Sequence, residues 1–151
     1  VDPRPGAWAG WGLAVVVEHA DLPRRAAVLA LGLDTGGGVL SLLPGGSGRV
    51  DDVLSIIWDG DPDLGPDGID IEGGDTPARA LLDPANPLGD LGNSSVSIHG
   101  VRPAGPDANT FGVDVDLFRV DDAPRTDPVL RTVAGSERLF VGLPGATIDL
   151  G

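Results

Sequence analysis

The chain has 151 residues, a length expected to form one domain spanning residues 1–151. Its 23 acidic and 10 basic side chains give a formal net charge of −13, which repels nucleic acids and anionic membranes and argues against both as partners. The absence of cysteine excludes disulfides, thiolate metal sites and a cysteine nucleophile.

The first half of the chain consists of apolar runs separated by turns rich in glycine and proline. Valine-rich and isoleucine-rich runs of this length favour strands, and the flanking turn residues keep them short. Strands are therefore predicted at residues 8–18, 26–33, 39–43, 50–58 and 68–72.

The second half begins with residues 76–82, where Thr76 as N-cap and Pro77 at the first helical position predict a short helix. Further strands are predicted at residues 94–99, 112–120, 129–133, 139–143 and 146–150. Nine or ten short strands with at most one short helix indicate an all-β fold, a two-sheet β-sandwich or jelly roll.

An acidic loop follows the strand predicted at 50–58. Counting Asp59 as the first position, aspartates occupy positions 1, 3, 5, 9 and 12, which is the ligand spacing of a calcium-binding loop. The predicted calcium ligands are Asp59, Asp61, Asp63, Asp67 and Asp70. The loop departs from the EF-hand pattern because Leu64 replaces the usual glycine and the flanks are predicted strands. A solvated acidic turn is the alternative.

Alternation within residues 112–120 places Asp114, Asp116 and Phe118 on one face of the predicted strand. The two aspartates could join the acidic loop together with Asn93. Since charged side chains ordinarily face water, we expect Asp114 and Asp116 to be exposed.

No catalytic motif accompanies the two histidines, His19 and His99. The serines near His99 lack a G-x-S-x-G elbow, and no HExxH zinc motif occurs. Paired carboxylates leave a glycosidase-like hydrolase open. The chain has three Trp, three Phe and no Tyr, which provides few aromatic platforms for a sugar cleft. The sequence therefore predicts a non-catalytic domain.

The chain contains no methionine, so Val1 is not expected to be a translation start. Removal of a signal peptide is the simplest account, and a fragment of a longer protein is the alternative. No apolar run approaches the length of a transmembrane helix. These features favour an extracellular or cell-surface location.

Several motifs, taken in order, resemble the DUF3344-like domains of secreted and surface-anchored actinobacterial proteins. Residues 8–18 (WAGWGLAVVVE) are similar to that group's opening W-x-G-W-x-L-x-V-V-Y-E. The other similar segments are 60–68, 82–87, 93–97, 112–117 and 139–150. The chain has other residues at the positions where that group usually has tyrosine. The resemblance implies an exported surface domain and no defined activity.

An exported acidic β-domain without a catalytic motif is expected to be structural or adhesive. We expect it to form filaments or surface layers with other copies of itself or with neighbouring surface domains, with calcium stabilising the acidic loop. Residues 147–150 are expected to add to the sheet edge of a neighbour. The alternative is a carbohydrate- or ligand-binding β-sandwich, in which Trp8 or Trp11 would be exposed beside the acidic loop.

Overall fold

The structure is a computed structural model of the whole chain. It describes residues 11–30, 37–42, 48–58, 60–62, 64–74, 76–103, 105, 109–135, 140–142 and 145–149. The acidic-loop residues Asp59 and Asp63 and the predicted strand start at 8–10 lie outside the described residues.

Ten strands form within the described residues, and no helix occurs among them. They are β1 (Arg25–Leu29), β2 (Val39–Ser41), β3 (Arg49–Trp58), β4 (Gly68–Gly73), β5 (Thr76–Ala80), β6 (Val96–Ile98), β7 (Val113–Arg119), β8 (Val129–Val133), β9 (Phe140–Val141) and β10 (Gly145–Asp149). The predicted all-β class is confirmed.

The strands form two sheets. The six-stranded sheet has the order β1-β10-β3-β7-β6, with β9 also pairing β3, and the four-stranded sheet has the order β2-β8-β4-β5. All pairs are antiparallel except β6 with β7. This arrangement is consistent with the predicted β-sandwich.

One apolar core joins the two sheets. Val53 and Ile57 of β3 and Phe118 of β7 contribute from the larger sheet, and Ile69 and Ile71 of β4 from the smaller. These five side chains are at most 1 % exposed. Burying each of these side chains stabilises the fold by about 1.5–3 kcal/mol. Because successive side chains point to opposite faces of a strand, this burial determines which face of each sheet turns toward the other sheet.

Residues 76–82 do not form the predicted helix. They begin as β5, which pairs antiparallel with β4 through a tight connection at Gly73 and Gly74. Both glycines have positive φ, of 155° and 52°, which favours a turn at this point. The prediction was wrong because pairing with a neighbouring strand overrode the local capping signal.

The strand predicted at 8–18 is also wrong in its described part. Residues 11–18, here named the apolar segment, form no strand and lie largely exposed. A β-carbon at Gly12 would lie 3.0 Å from Ile56 Cδ1 and 3.7 Å from Trp58 Cζ2, so the segment runs over the outer side of the larger sheet. The edges of β3 are occupied by β10, β7 and β9.

The last strand does not lie at a sheet edge. β10 pairs with β1 on one side and with β3 on the other, so its backbone is engaged on both edges. It therefore cannot add to a neighbouring sheet, as expected for residues 147–150, unless the fold opens. In the part of the chain described, no helix has the length and apolar character needed to cross a membrane.

Candidate functional site

The described acidic-loop residues point in different directions. Asp61 is exposed, Asp67 is buried, and Asp70 is half-buried in β4. Asp67 shares its face with the core residue Ile69, whereas Asp70 lies on the opposite face. Among the described residues, no three acidic or histidine side chains form a group able to hold a metal ion. The five-aspartate calcium site stays a prediction.

Asp67 instead ties a long loop to the start of β4. Its Oδ1 accepts hydrogen bonds from the backbone N–H groups of Leu91 and Gly92, at 2.6 and 2.9 Å. The side chain is 2 % exposed. The loop that these bonds hold, residues 81–95, closes over one end of the larger sheet.

Asp114 and Asp116 are fully buried, with 0 % exposure, which contradicts the expected solvent-facing position. Pairing of β7 with β3 places Asp114 opposite Ile57 and Asp116 opposite Ser55. This is the face that carries Phe118 into the core. Strand alternation therefore leaves the two aspartates no route to solvent once Phe118 is buried.

The Asp116 carboxylate is held by two neutral side chains. Its Oδ1 accepts hydrogen bonds from Ser97 Oγ at 2.8 Å and Asn86 Nδ2 at 3.1 Å. Asn86 Nδ2 also donates to Ser97 Oγ at 2.9 Å, and Asn86 Oδ1 accepts from Asn93 Nδ2 at 3.2 Å. These contacts extend the aspartate pair into a buried polar cluster, defined as Asp67, Asn86, Asn93, Ser97, Asp114 and Asp116.

Loop geometry positions Asn86 within the cluster. Asp83 Oδ1 accepts hydrogen bonds from the backbone N–H groups of Ala85 and Asn86, both at 2.9 Å. Arg102 Nη2 donates to Ala85 O at 2.7 Å and to Asn93 Oδ1 at 3.3 Å. A local aspartate turn and one arginine thus fix the loop against the sheet.

Backbone atoms contact both oxygens of the Asp114 carboxyl group. Its Oδ1 accepts a hydrogen bond from the Ser95 N–H at 2.8 Å, and its buried Oδ2 has no hydrogen-bond partner. A β-carbon at Gly60 would lie 2.5 Å from that Oδ2 and 2.6 Å from Gly92 O. The backbone at residue 60 therefore packs directly against the carboxyl group, and only glycine fits.

Burial changes the protonation of both aspartates. It raises the pKa of Asp114 to about 8, the backbone hydrogen bond from Ser95 opposes the rise, and the charge of Asp116 adds to it. Burial also raises the pKa of Asp116 to about 6, against the hydrogen bonds from Ser97 and Asn86. Asp114 is therefore mainly a neutral acid at neutral pH. Without solvent access, neither group can meet a substrate, and their role is to join the loop to the sheet.

A second polar site lies where one end of β3 meets the β7–β8 connection. The cleft has a volume of about 680 Å³, and its lining includes four arginines and four aspartates: Arg25, Arg49, Arg119, Arg125, Asp51, Asp52, Asp121 and Asp122. Asp51 holds two of these arginines, at 2.9 Å from Arg25 Nε and 2.7 Å from Arg49 Nη2. We name this site the arginine cleft.

The sequence identified Asn93 as a possible partner of Asp114 and Asp116, but it missed Asn86 and Ser97. The available signal was Phe118, which shares the face of the two aspartates. This signal competed with that of the aliphatic residues Val113, Val115 and Leu117 on the other face of the strand.

Comparisons of the chain with protein families, with curated proteins and with solved structures found no match. The resemblance to DUF3344-like domains therefore stays a prediction.

Proposed function

We propose that this protein is a non-catalytic structural or adhesive domain of an extracellular surface or filament, which assembles with other copies of itself. The observation that carries the proposal is the exposed apolar segment. The acidic composition and the resemblance to exported DUF3344-like domains support the extracellular location.

The apolar segment places large side chains in solvent next to one another. The exposed fractions are 85 % for Trp11, 74 % for Leu13, 71 % for Val15, 66 % for Val16 and 68 % for Val17. A contiguous exposed apolar patch marks an interaction site more often than scattered single residues do. Burying each of these side chains would contribute about 1.5–3 kcal/mol, so the segment favours a covered state.

The rest of the fold is suited to a rigid subunit. Two sheets share one core, and the buried polar cluster fixes the 81–95 loop by side-chain hydrogen bonds. The net charge of −13 opposes the approach of a second copy. Calcium at the acidic loop would lower that repulsion, which links the predicted cation site to assembly.

Light scattering and electron microscopy over a range of protein concentrations test the proposal. We expect oligomers or filaments from the parent protein and their loss when Val15 and Val17 are both replaced by serine. The matched control replaces Leu88 and Val101 by serine, since these residues are 76 % and 65 % exposed outside the segment. A parent protein that stays monomeric at high concentration, with and without calcium, would refute the proposal.

Thermal unfolding with calcium or a chelator tests the cation site. Calcium at 100 times its dissociation constant should stabilise the fold by about 2.7 kcal/mol. Asp61→Asn with Asp70→Asn should remove the effect, whereas Asp122→Asn, an exposed aspartate outside the acidic loop, should keep it. An unchanged melting temperature in the parent protein would reject a folded-state calcium site.

The second candidate function is that of a carbohydrate- or ligand-binding module. Trp11 is 85 % exposed, and the adjacent Gly12 lies against Trp58, the residue that precedes the acidic loop. The arginine cleft offers a second concave surface, whose arginines and aspartates can hydrogen-bond a polar ligand. Binding to a glycan array tests this function. Binding that is lost in the Trp11→Ala or Arg119→Ala variant would support it. The absence of binding to any glycan on the array would refute it.

A further inference from the structure

We infer that the apolar segment of one copy pairs, as an added antiparallel strand, with the free edge of β1 in a second copy. This inference rests on the proposed self-assembly and names its two contact surfaces.

The donor is a strand-forming sequence that has no strand partner in the part of the chain that the structure describes. Residues 13–17 read Leu-Ala-Val-Val-Val, and valine is among the residues most favoured in strands. No hydrogen bond links the backbone of residues 11–18 to another described backbone group. Edge addition would satisfy these N–H and C=O groups, and strand alternation would place Ala14 and Val16 on one face of the extended sheet and Leu13, Val15 and Val17 on the other.

The acceptor is the edge of the larger sheet. β1 has five residues, matching the length of the donor, and within the described residues it pairs only with β10. Its opposite edge has no strand partner among the described residues, and a free edge of this kind is a template for an incoming strand. Ala26 and Val28 of β1 pack against the core, so an added strand would continue an already apolar layer.

The other described sheet edges are poorer acceptors. β2 and β6 have only three residues each, and Ile98 of β6 already bridges Val101. β5 contains Pro77, which lacks an N–H donor, and the Arg79 side chain is engaged with Asp121 O. β1 alone among these edges combines five residues with no proline.

Charge favours the antiparallel direction. With Val15 opposite Ala27, antiparallel pairing places Leu13 beside Leu29 and Glu18 beside Arg24. Glu18 and Arg24 are exposed and form no ion pair with described residues. Parallel pairing would instead place Glu18 beyond the end of β1, away from both Arg24 and Arg25.

A second copy is the occupant because, within one copy, no described backbone hydrogen bond joins the segment to β1. Gly12 seats the start of the segment over Ile56 and Trp58 of β3, and β10 lies between β3 and β1. Each copy then carries one donor and one acceptor. Repetition of this head-to-tail contact builds an open filament when the rotation between copies does not close, and a ring when it does.

Disulfide trapping tests the contact. Because the chain contains no cysteine, only the introduced thiols can form a disulfide. One full-length variant carries Val15→Cys, a second carries Ala27→Cys, and the two are mixed and oxidised. The control partner is Ala78→Cys, an exposed alanine on the edge strand β5. We expect the Val15–Ala27 pair to cross-link about tenfold or more above the control, because pairing raises the effective concentration of the thiols.

The failure of this inference differs from the failure of self-assembly. Oligomers seen by light scattering, without cross-linking above the control, would overturn the β1 contact and leave the proposed function intact. A chain carrying both Val15→Cys and Ala27→Cys that forms only an internal disulfide would show that the segment folds onto its own β1, which also overturns the inference. Absence of any oligomer would refute the proposed function itself.

Discussion

Two regions of this protein reverse the usual distribution of polar and apolar side chains. At one end of the larger sheet, Asp114 and Asp116 have 0 % exposure. Along the outside of the same sheet, Leu13 and Val15 are 74 % and 71 % exposed. The carboxyl groups are inside and the aliphatic side chains are outside.

The buried aspartates and the exposed aliphatic residues differ in how far their surroundings stabilise them. Inside, Asn86, Ser97 and the Ser95 N–H supply hydrogen bonds, and the raised pKa of Asp114 keeps that group mainly neutral. Outside, the apolar segment has no comparable cover among the described residues. Within one chain the cluster provides hydrogen bonds to one oxygen of Asp114 and one of Asp116, whereas the segment favours a partner. This difference separates residues that support the fold from residues for which we propose a role in assembly.

The largest expected effect comes from removing the central amide of the cluster. Asn86→Ala leaves Ser97, Asn93 and Asp116 each without one hydrogen-bond partner. Since a buried polar group left unpaired costs about 1–3 kcal/mol, we expect a loss of about 3 kcal/mol or more in the free energy of unfolding. Urea denaturation measures it. Leu88→Ala, in the same loop and 76 % exposed, should change it by less than about 0.5 kcal/mol.

A smaller loss is expected where the backbone meets Asp114. Gly60→Ala places a methyl group 2.5 Å from Asp114 Oδ2 and should destabilise the fold by about 1–3 kcal/mol. Gly68→Ala is the matched control, because a β-carbon there meets nothing within 4 Å. Equal denaturation midpoints for the two variants would contradict the close packing described at Gly60.

Asp114→Asn should change the pH dependence of stability. Folding raises the pKa of Asp114 from 3.8 to about 8, so its contribution is full below the unfolded value, declines as pH rises, and is lost above the folded value. The uncharged amide should flatten this decline, and Asp116 should leave a residual slope extending to about pH 6. Melting temperatures across this pH range measure the effect. The exposed Asp122→Asn variant should keep the parent slope, and an unchanged slope in Asp114→Asn would show that Asp114 is ionised in the folded protein.

The smallest effect on the subunit itself is expected in the apolar segment. Val15→Lys with Val17→Lys should change the free energy of unfolding of the monomer by less than about 0.5 kcal/mol per site, because both residues are largely exposed. Denaturation at a concentration where the parent is monomeric measures it. A large loss would show that the segment packs on its own chain, which would remove the contrast with the buried cluster.

Much of the strand pattern followed from sequence, but not its faces or its edges. The predicted strand at 129–133 coincides with β8, and the prediction at 68–72 differs from β4 by one residue. Alternation and turn residues act through local backbone preferences, and the folded structure keeps most of the strands that these preferences predict. The solvent-facing prediction for Asp114 and Asp116 failed because their hydrogen-bond partners come from distant segments: the Ser95 N–H for Asp114, and Asn86 and Ser97 for Asp116.

By itself, the sequence determined the all-β class, the strong negative charge and the alternation that places Asp114, Asp116 and Phe118 on one side of β7. Only the tertiary structure decided that this side faces inward and that the valine run at 15–17 stays outside the sheets. A period of two assigns residues to two faces but does not say which face is covered. That choice depends on which strands pair and on which loop closes over them.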